Sequence, residues 1–282
     1  MNSSQEKRTL SSSEGQRVLR IADVEHFQWS LFEADTPGAF SANGSGLSLA
    51  AAVELASIET HLSSAVSDMR ASIRVPNCSI WSLLKASGWP THRGCVELRD
   101  GGFTVLVLPT DAYDSWWTER LHQLLYELRQ NGFPARLARG LTGAVAEMVD
   151  NIWQHAETAD PGLLVYQIRR RRFAFSVADN GVGVLASLRK NPRYKWLDSS
   201  MEAIGYAIKP GVSSCGGGGM GFPSLLHALA DLWGKARLRS GEASLTFDRT
   251  QEERRKDYSY LPFLPGLHVS VRCALDAPPA QG

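Results

Sequence analysis

Three groups of residues between positions 147 and 221 combine side chains and glycines that could do chemistry. In the first group, a carboxylate, an amide and an imidazole recur every four residues at Glu147, Asn151 and His155. On a helix these positions are about 40° apart, so they form one polar stripe. The amide oxygen could ligate Mg²⁺, the carboxylate could take a proton from an attacking water or hydroxyl, and the imidazole could donate to a phosphate oxygen. A solvated helix face is the alternative interpretation.

The second group is a turn that follows a predicted strand at residues 173–177. It contains a carboxylate at Asp179 and two glycines at Gly181 and Gly183. Glycines permit a flat ring to approach the backbone closely, and the carboxylate could accept a hydrogen bond from an exocyclic amine such as that of adenine. Asp-Asn-Gly is also typical of an ordinary turn, so both interpretations stay open.

The third group is a glycine run at residues 216–219, followed by Met220 and Gly221, which opens a helix predicted from Phe222 to Trp233. Exposed backbone N–H groups at a helix N-terminus form a cradle for anions such as phosphates. No Lys-Ser/Thr pair follows the glycines, and no βαβ strand precedes them, so neither the Walker loop nor the dinucleotide fingerprint fits. A flexible linker is the alternative, which the strongly patterned helix immediately afterwards disfavours.

In this order, the three groups resemble the GHKL superfamily of ATPases, which includes gyrase-type topoisomerase subunits, a heat-shock chaperone, histidine kinases and MutL-type repair proteins. The residues Glu147 to Asn151 match the N box of that family, Asp179-Asn-Gly181-Val-Gly183 matches its G1 box, and Gly217-Gly-Gly219-Met220-Gly221 matches its G2 box. The resemblance covers roughly residues 110–275.

The resemblance implies a Bergerat fold with Mg-ATP bound between helices and sheet. It makes Asn151 the Mg²⁺ ligand, Glu147 the general base, Asp179 the adenine contact, and residues 217–221 the phosphate loop. The connection at residues 184–215 would be a mobile lid, from which Lys209 or Arg193 could reach the phosphates.

A histidine kinase of this superfamily carries a phosphoacceptor histidine in a dimerisation helix, and neither His61 nor His122 has the flanking residues for that role. We therefore expect a regulatory protein that binds Mg-ATP and either hydrolyses it or passes its γ-phosphoryl group to a protein partner. The alternative is a nucleotide-gated interaction module with little turnover. The presence of Glu147 favours the enzyme, and the missing phosphoacceptor motif favours the module.

The predicted elements that position these residues give an α+β protein: a two-layer α/β sandwich with a small N-terminal α/β unit. We expect residues 1–16 and 276–282 to be disordered, residues 17–109 to form the N-terminal unit, and residues 110–275 to form the ATPase domain. Predicted helices cover residues 47–66, 79–87 and about 134–156. Predicted hairpins pair residues 95–99 with 103–108 and residues 163–168 with 173–177. Separate strands are predicted at residues 236–239, 243–247 and 267–273.

Composition limits the partners. A net charge of +1 gives no bias toward nucleic acid or anionic membrane, and the basic run at Arg169 to Arg172 fits an exposed hairpin turn. Four cysteines without a C-x-x-C pair fit a reducing, cytoplasmic compartment. No apolar run is long enough to span a membrane. A homodimer is left open.

Overall fold

The computed structural model describes residues 18–33, 40–41, 47–65, 73–75, 78–109, 115–213, 221–249 and 255–276. Helices and strands alternate irregularly along these ranges. The helices are α1 Ile21–Glu33, α2 Leu49–Ala65, α3 Ser79–Ser87, α4 Ser115–Gln130, α5 Ala135–His155, α6 Gly183–Arg189, α7 Ser200–Ala207 and α8 Gly221–Ala228, with a 3₁₀ turn at Pro192–Tyr194. The strands are β1 Phe40–Ser41, β2 Ile73–Arg74, β3 Val96–Asp100, β4 Phe103–Val107, β5 Leu163–Arg169, β6 Arg172–Ala178, β7 Trp233–Arg249 and β8 Arg255–Ala274.

Six of the strands form one antiparallel sheet in the order β3-β4-β5-β6-β8-β7. The predicted hairpins β3–β4 and β5–β6 are confirmed, with Asp100 opposite Phe103 and Arg169 opposite Arg172. Residues 40–41 and 73–74 make a separate two-stranded parallel pair. The α+β class expected from the sequence is therefore what the structure has.

Helices cover both faces of the sheet, which corrects the two-layer arrangement expected from the sequence. Alternate residues of β4 and β5 point to opposite sides: Leu106 and Leu164 pack with α4, α5 and α8, whereas Val105 and Val165 pack with α1, α2 and α3. The side with α5 is called the front face here, and the side with α2 the back face. Because both faces are buried, β4 and β5 are continuous apolar runs.

The boundary expected near residue 110 falls inside this sheet. Strand β4 pairs with β5 from Phe103↔Gln167 to Val107↔Leu163, so residues 96–107 and residues 163–178 belong to one hydrogen-bonded sheet. The helices before residue 90 then pack on the back face of the same sheet. The described part of residues 17–109 is thus not a separate small unit but contributes one edge and one layer of a continuous fold.

The last two strands are longer than predicted. Residues 236–239 and 243–247 belong to the single strand β7, whose pairing with β8 shifts register between Ser240 and Ala243. The predicted helix ending at Trp233 stops instead at Ala228, because Trp233 already pairs with Ala274. No element was predicted for the residues that form helix α1.

Candidate functional site

Helix α5 carries the predicted polar stripe and packs its apolar stripe on the front face of the sheet. Its buried residues recur at helical spacing, including Leu141, Val145, Met148 and Ile152. Glu147 and Asn151 lie half-buried beside this stripe. The Nδ2 of Asn151 donates to the Glu147 carbonyl at 2.9 Å, so Oδ1 is the amide atom that could ligate a cation.

Asn151 lies directly against the start of α8. A Cβ on Gly221 would sit 2.8 Å from Asn151 Nδ2 and 3.4 Å from Oδ1. Only a glycine therefore fits at residue 221 without displacing the amide. Asn151 and Gly221 are thus neighbours in the structure, although they are 70 positions apart in the sequence. Asn151 lies in the predicted metal-binding helix, and Gly221 lies at the end of the predicted phosphate loop.

A second carboxylate lies next to Glu147 on the same helix. Burial raises the pKa of Asp150 above its ordinary value, and the negative charge of Glu147 raises it further. Two carboxylates one turn apart repel each other, which favours a bound cation or a shared proton between them. No role for Asp150 was predicted from the sequence.

Asp179 lies at the end of β6 and is 3% exposed. Its Oδ1 accepts the Gly181 N–H at 2.7 Å, and its Oδ2 accepts the Leu267 N–H at 3.3 Å. Burial raises the pKa of Asp179 to about 6, although the two backbone donors act in the opposite direction. A buried carboxylate with remaining lone pairs can accept a further hydrogen bond from a ligand amine.

The turn after Asp179 is packed against the C-terminal end of α5. The Ala156 carbonyl accepts the Val182 N–H at 2.9 Å, and a Cβ on Gly181 would collide with that carbonyl oxygen. Glycine is thus needed at Gly181 for close backbone approach. Gly183 has a φ of +75°, which is the left-handed region that other residues adopt at a cost.

Ser240 of β7 fastens the other side of the same turn. Its Oγ accepts the Val184 N–H at 2.9 Å and donates to the Gly266 carbonyl at 2.7 Å. Ser240 is 2% exposed, and a Cβ on Gly183 would lie 2.6 Å from its Oγ. The turn is therefore held between α5, β7 and β8.

Asn180, between Asp179 and Gly181, has both side-chain polar atoms buried, and neither has a partner in the part of the chain that the structure describes. A buried amide without hydrogen bonds is costly, so a ligand or water that pairs with it would be stabilised. An amide offers one donor and one acceptor side by side, which suits the edge of a nucleobase.

His155 ends α5, one turn beyond Asn151. Burial lowers the pKa of His155 below its ordinary value, a hydrogen bond with the Gln154 backbone acts in the opposite direction, and the positive charge of Lys190 lowers the pKa further. The imidazole is consequently neutral near pH 7 and can donate one hydrogen bond rather than supply a positive charge.

The predicted phosphate loop is only partly described. Gly217, Gly219 and Met220 lie outside the described residues, and Gly221 is the first residue of α8. That Gly217, Gly219 and Met220 lie near Asn151 therefore stays a prediction.

The segment predicted as a lid is mostly built into the core. Leu197, Ala203 and Ile204 are at most 1% exposed and pack with the front layer. Helix α7 begins with the predicted cap, in which the Ser199 Oγ accepts the Glu202 N–H at 3.2 Å. This packing argues against a mobile lid in residues 184–207. Arg193 is exposed, and the Lys209 ammonium lies 3.7 Å from the centre of the Tyr206 ring.

A separate groove of about 300 Å³ lies at the other edge of the sheet, between β3, β4 and the end of α4. Glu127 there accepts hydrogen bonds from Arg99 and Tyr166 at 2.6 and 3.2 Å. Arg99 and Glu127 are thus paired with each other, and none of the predicted site residues lines the groove.

The residues around α5 fit a nucleotide and Mg²⁺ by their chemistry. Asp179 and Asn180 supply a buried acceptor and an unpaired amide, whereas Asn151 supplies an amide oxygen beside a helix start. Nucleotide-bound Mg²⁺ usually takes one or two protein ligands and completes its shell with phosphate oxygens and water. Among the residues that can be described, no group of three or more His, Cys, Asp or Glu side chains is arranged to hold a metal ion by itself.

Comparison with known proteins identifies no family for this chain. No protein-family model matches the chain, and no curated protein matches it. Within the described ranges, no helix is both long enough and apolar enough to cross a membrane.

Proposed function

We propose that this chain binds Mg-ATP as a histidine kinase-like ATPase of the GHKL type and hydrolyses it or transfers the γ-phosphoryl group to a protein partner. The proposal includes a Bergerat-type ATP site on the front face. One observation carries it: two motifs far apart in sequence both contact the C-terminal half of α5. Gly221 packs on Asn151, and the Gly181 turn packs on Ala156. The two contacts are about 7.5 Å apart along the helix, within the length of a nucleotide.

Adenine would lie at the Asp179 turn. The carboxylate is ionised at pH 7 when its pKa is about 6, so it can accept a hydrogen bond from the exocyclic amine. Guanine presents a carbonyl at the equivalent position, which would face that carboxylate without a proton between them. The unpaired amide of Asn180 supports a base at this turn.

The phosphates would lie toward Asn151 and the start of α8. Asn151 Oδ1 would ligate Mg²⁺, and the helix N-terminus at Gly221 would favour the negative charge of the phosphates. Glu147 lies one turn back on α5 and would accept the proton of the attacking water or hydroxyl as the bond to phosphorus forms. His155 would donate to a phosphate oxygen in exchange for its hydrogen bond with the Gln154 backbone.

Phosphate release during steady state, measured on wild type and Glu147→Gln, tests the enzymatic part of the proposal. We expect the variant to lose about 100-fold or more of the turnover while still binding ATP, because a positioned general base contributes about that much. The matched control is Glu119→Gln, which removes an exposed carboxylate from α4 and should leave turnover unchanged.

Two results would contradict this assignment in different ways. Equal turnover in wild type and Glu147→Gln would remove Glu147 from the role of base. ATP binding by the wild type without turnover, alone or with candidate partners, would favour the nucleotide-gated interaction module over the enzyme.

A further inference from the structure

A cluster of buried charges lies on the back face, outside the proposed nucleotide site. Glu54 of α2 is 1% exposed and bridges Arg237 and Arg239 of β7, with Arg239 Nη1 at 2.6 Å from Oε2. Burial alone would raise the pKa of Glu54, but the two guanidinium groups hold it below its ordinary value. The ionised carboxylate is therefore the link between α2 and the sheet.

Helix α1 completes the cluster. The Glu25 carboxylate accepts a hydrogen bond from Arg237 at 2.5 Å, and the side-chain Oε1 of Gln28 accepts one from Arg239. Two carboxylates thus balance two guanidinium groups. Burial lowers the pKa of His268 to about 4, so this neighbour is neutral at pH 7 and leaves the balance intact.

On each of three strands, a residue at or beside this cluster is followed or preceded directly by a residue of the row that contains Asp179, the proposed adenine contact. Arg239 of β7 pairs with His268 of β8, which pairs with Ala178 of β6. The next row consists of Ser240, Leu267 and Asp179, and it makes the hydrogen bonds that hold the Asp179 turn. Since successive residues of a strand face opposite sides, the back-face cluster and the front-face turn share the same short piece of backbone.

The shared backbone is an irregular part of β8, from Pro262 to Gly266. Its pairing with β7 is shifted, because Ser240 pairs with Leu267 but Gly241 pairs with Leu264. On the back face, Arg239 donates to the Pro262 carbonyl at 2.9 Å. On the front face, Ser240 donates to the Gly266 carbonyl, and a Cβ on Gly266 would collide with the Asp179 carbonyl. Both faces therefore fix the position of this segment.

We infer that Glu54 and Arg239 are positioning residues for the Asp179 nucleotide site, acting through residues 262–266 of β8. Helices α1 and α2, which pack on the back face, thereby set the geometry of a site on the front face. The inference rests on the proposed function only for the identity of the ligand. The coupling between the back-face cluster and the Asp179 turn stands on the contacts themselves.

The test replaces the buried pair by apolar residues in the variant Glu54→Leu/Arg239→Met. Removing both partners avoids leaving an unpaired buried charge at residue 54 or residue 239, and Arg237 keeps its ion pair with Glu25. In the protein without nucleotide, we expect hydrogen exchange at the Val182 and Val184 amides to speed up by about fivefold or more, and the Kd for ATP to rise by a similar factor.

The front-face link is tested by Ser240→Ala, which removes one hydroxyl and no charge. It should give the same pattern: faster exchange at Val184 and weaker ATP binding, with cooperative unfolding retained. The matched control is Glu97→Leu/Arg120→Met, which removes an ion pair between β3 and α4 at the far edge of the same sheet. This control should leave exchange at residues 182–184 and the Kd for ATP unchanged.

The inference is overturned if the folded double variant keeps wild-type exchange in the turn, whatever the result for Ser240→Ala. It is also overturned if the far-edge control changes exchange in the turn as much as the double variant does, since the effect would then be a general loss of stability. Faster exchange in a protein whose wild type fails to bind ATP would support the coupling and contradict only the proposed function.

Discussion

Asp179 is the residue whose ionisation matters most for the candidate site. It is a buried carboxylate that accepts hydrogen bonds from the backbone N–H groups of Gly181 and Leu267. Burial makes the charged form unfavourable, so its pKa rises from 3.8 to about 6. The protein thus keeps a negative charge in its interior at neutral pH, as expected where a ligand supplies the missing partner.

This shift predicts a pH dependence of stability. Because the native pKa lies above the unfolded one, the folded protein binds more protons between pH 4 and pH 6, and the free energy of unfolding falls as pH rises through that window. The contribution is up to about 3 kcal/mol. Asp179→Asn should lack it, which urea denaturation of both proteins without nucleotide from pH 4 to pH 7 would measure. Curves with the same pH dependence would contradict the shift.

At the residue scale, the sequence predicted which side chains could bind a nucleotide but not what holds them. Glu147, Asn151 and Asp179 were identified from their spacing together with the resemblance to the GHKL boxes. Ser240 and Gly266 were not, because they are far from the motifs in sequence and contact them only through strand pairing. Asn180 stood inside the G1 box, yet its buried, unpaired amide becomes visible only with coordinates.

Among the elements, α5 is the one on which the candidate site is built, and a glycine packed against this helix has a different role from a glycine within it. A Cβ on Gly181 would collide with the Ala156 carbonyl at the C-terminal end of α5. A Cβ on Gly143, in the middle of α5, would meet nothing within 4 Å. Gly181→Ala should therefore destabilise the fold by about 1–3 kcal/mol, through overpacking against backbone. Gly143→Ala should stabilise it by about 0.5–1 kcal/mol, through helix propensity.

Chemical denaturation of both glycine variants checks this pair. Equal effects of the two substitutions would mean that the turn does not pack against α5 as described. Nucleotide binding should be weakened in Gly181→Ala and unchanged in Gly143→Ala, because only the first displaces the Asp179 turn.

Sequence patterns predicted elements well where one face is apolar and poorly where polar groups are buried. Helices α2, α3 and α5 and both predicted hairpins were expected close to their observed bounds. Helix α1 was missed because Glu25 and Gln28 interrupt its apolar pattern, and both pair with arginines of β7. Strand β8 was predicted only from residue 267, since Pro262 and Pro265 are atypical of a strand and lie in its irregular part.

For the whole molecule, the main correction concerns the N-terminal third. The sequence suggested a separate unit, because residues 17–109 contain no recognisable motif and the resemblance begins near residue 110. The structure instead has the described part of that third on the back face and at one edge of a single sheet. The apolar runs of β4 and β5, which lack the alternation of a strand with one solvated face, were the available signal.

A truncation tests this integration. A fragment of residues 110–282 would expose Leu163, Val165 and Leu264, which are fully buried in the full chain, and would leave the edge of β5 unpaired. We expect the fragment to aggregate or to unfold without cooperativity. Thermal denaturation and size-exclusion chromatography, compared with the full chain, would measure this. A monomeric fragment with cooperative unfolding would contradict the single-fold description.

The central claim is a site for ATP between the Asp179 turn and Asn151, and calorimetric titration with Mg-ATP and Mg-GTP tests it most directly. The account predicts that the wild type binds ATP and discriminates against GTP. It also predicts that Asp179→Asn loses ATP affinity by about 1–3 kcal/mol, roughly 5- to 150-fold, together with that discrimination. Absence of ATP binding by the wild type, or equal affinities for both nucleotides in both proteins, would contradict it.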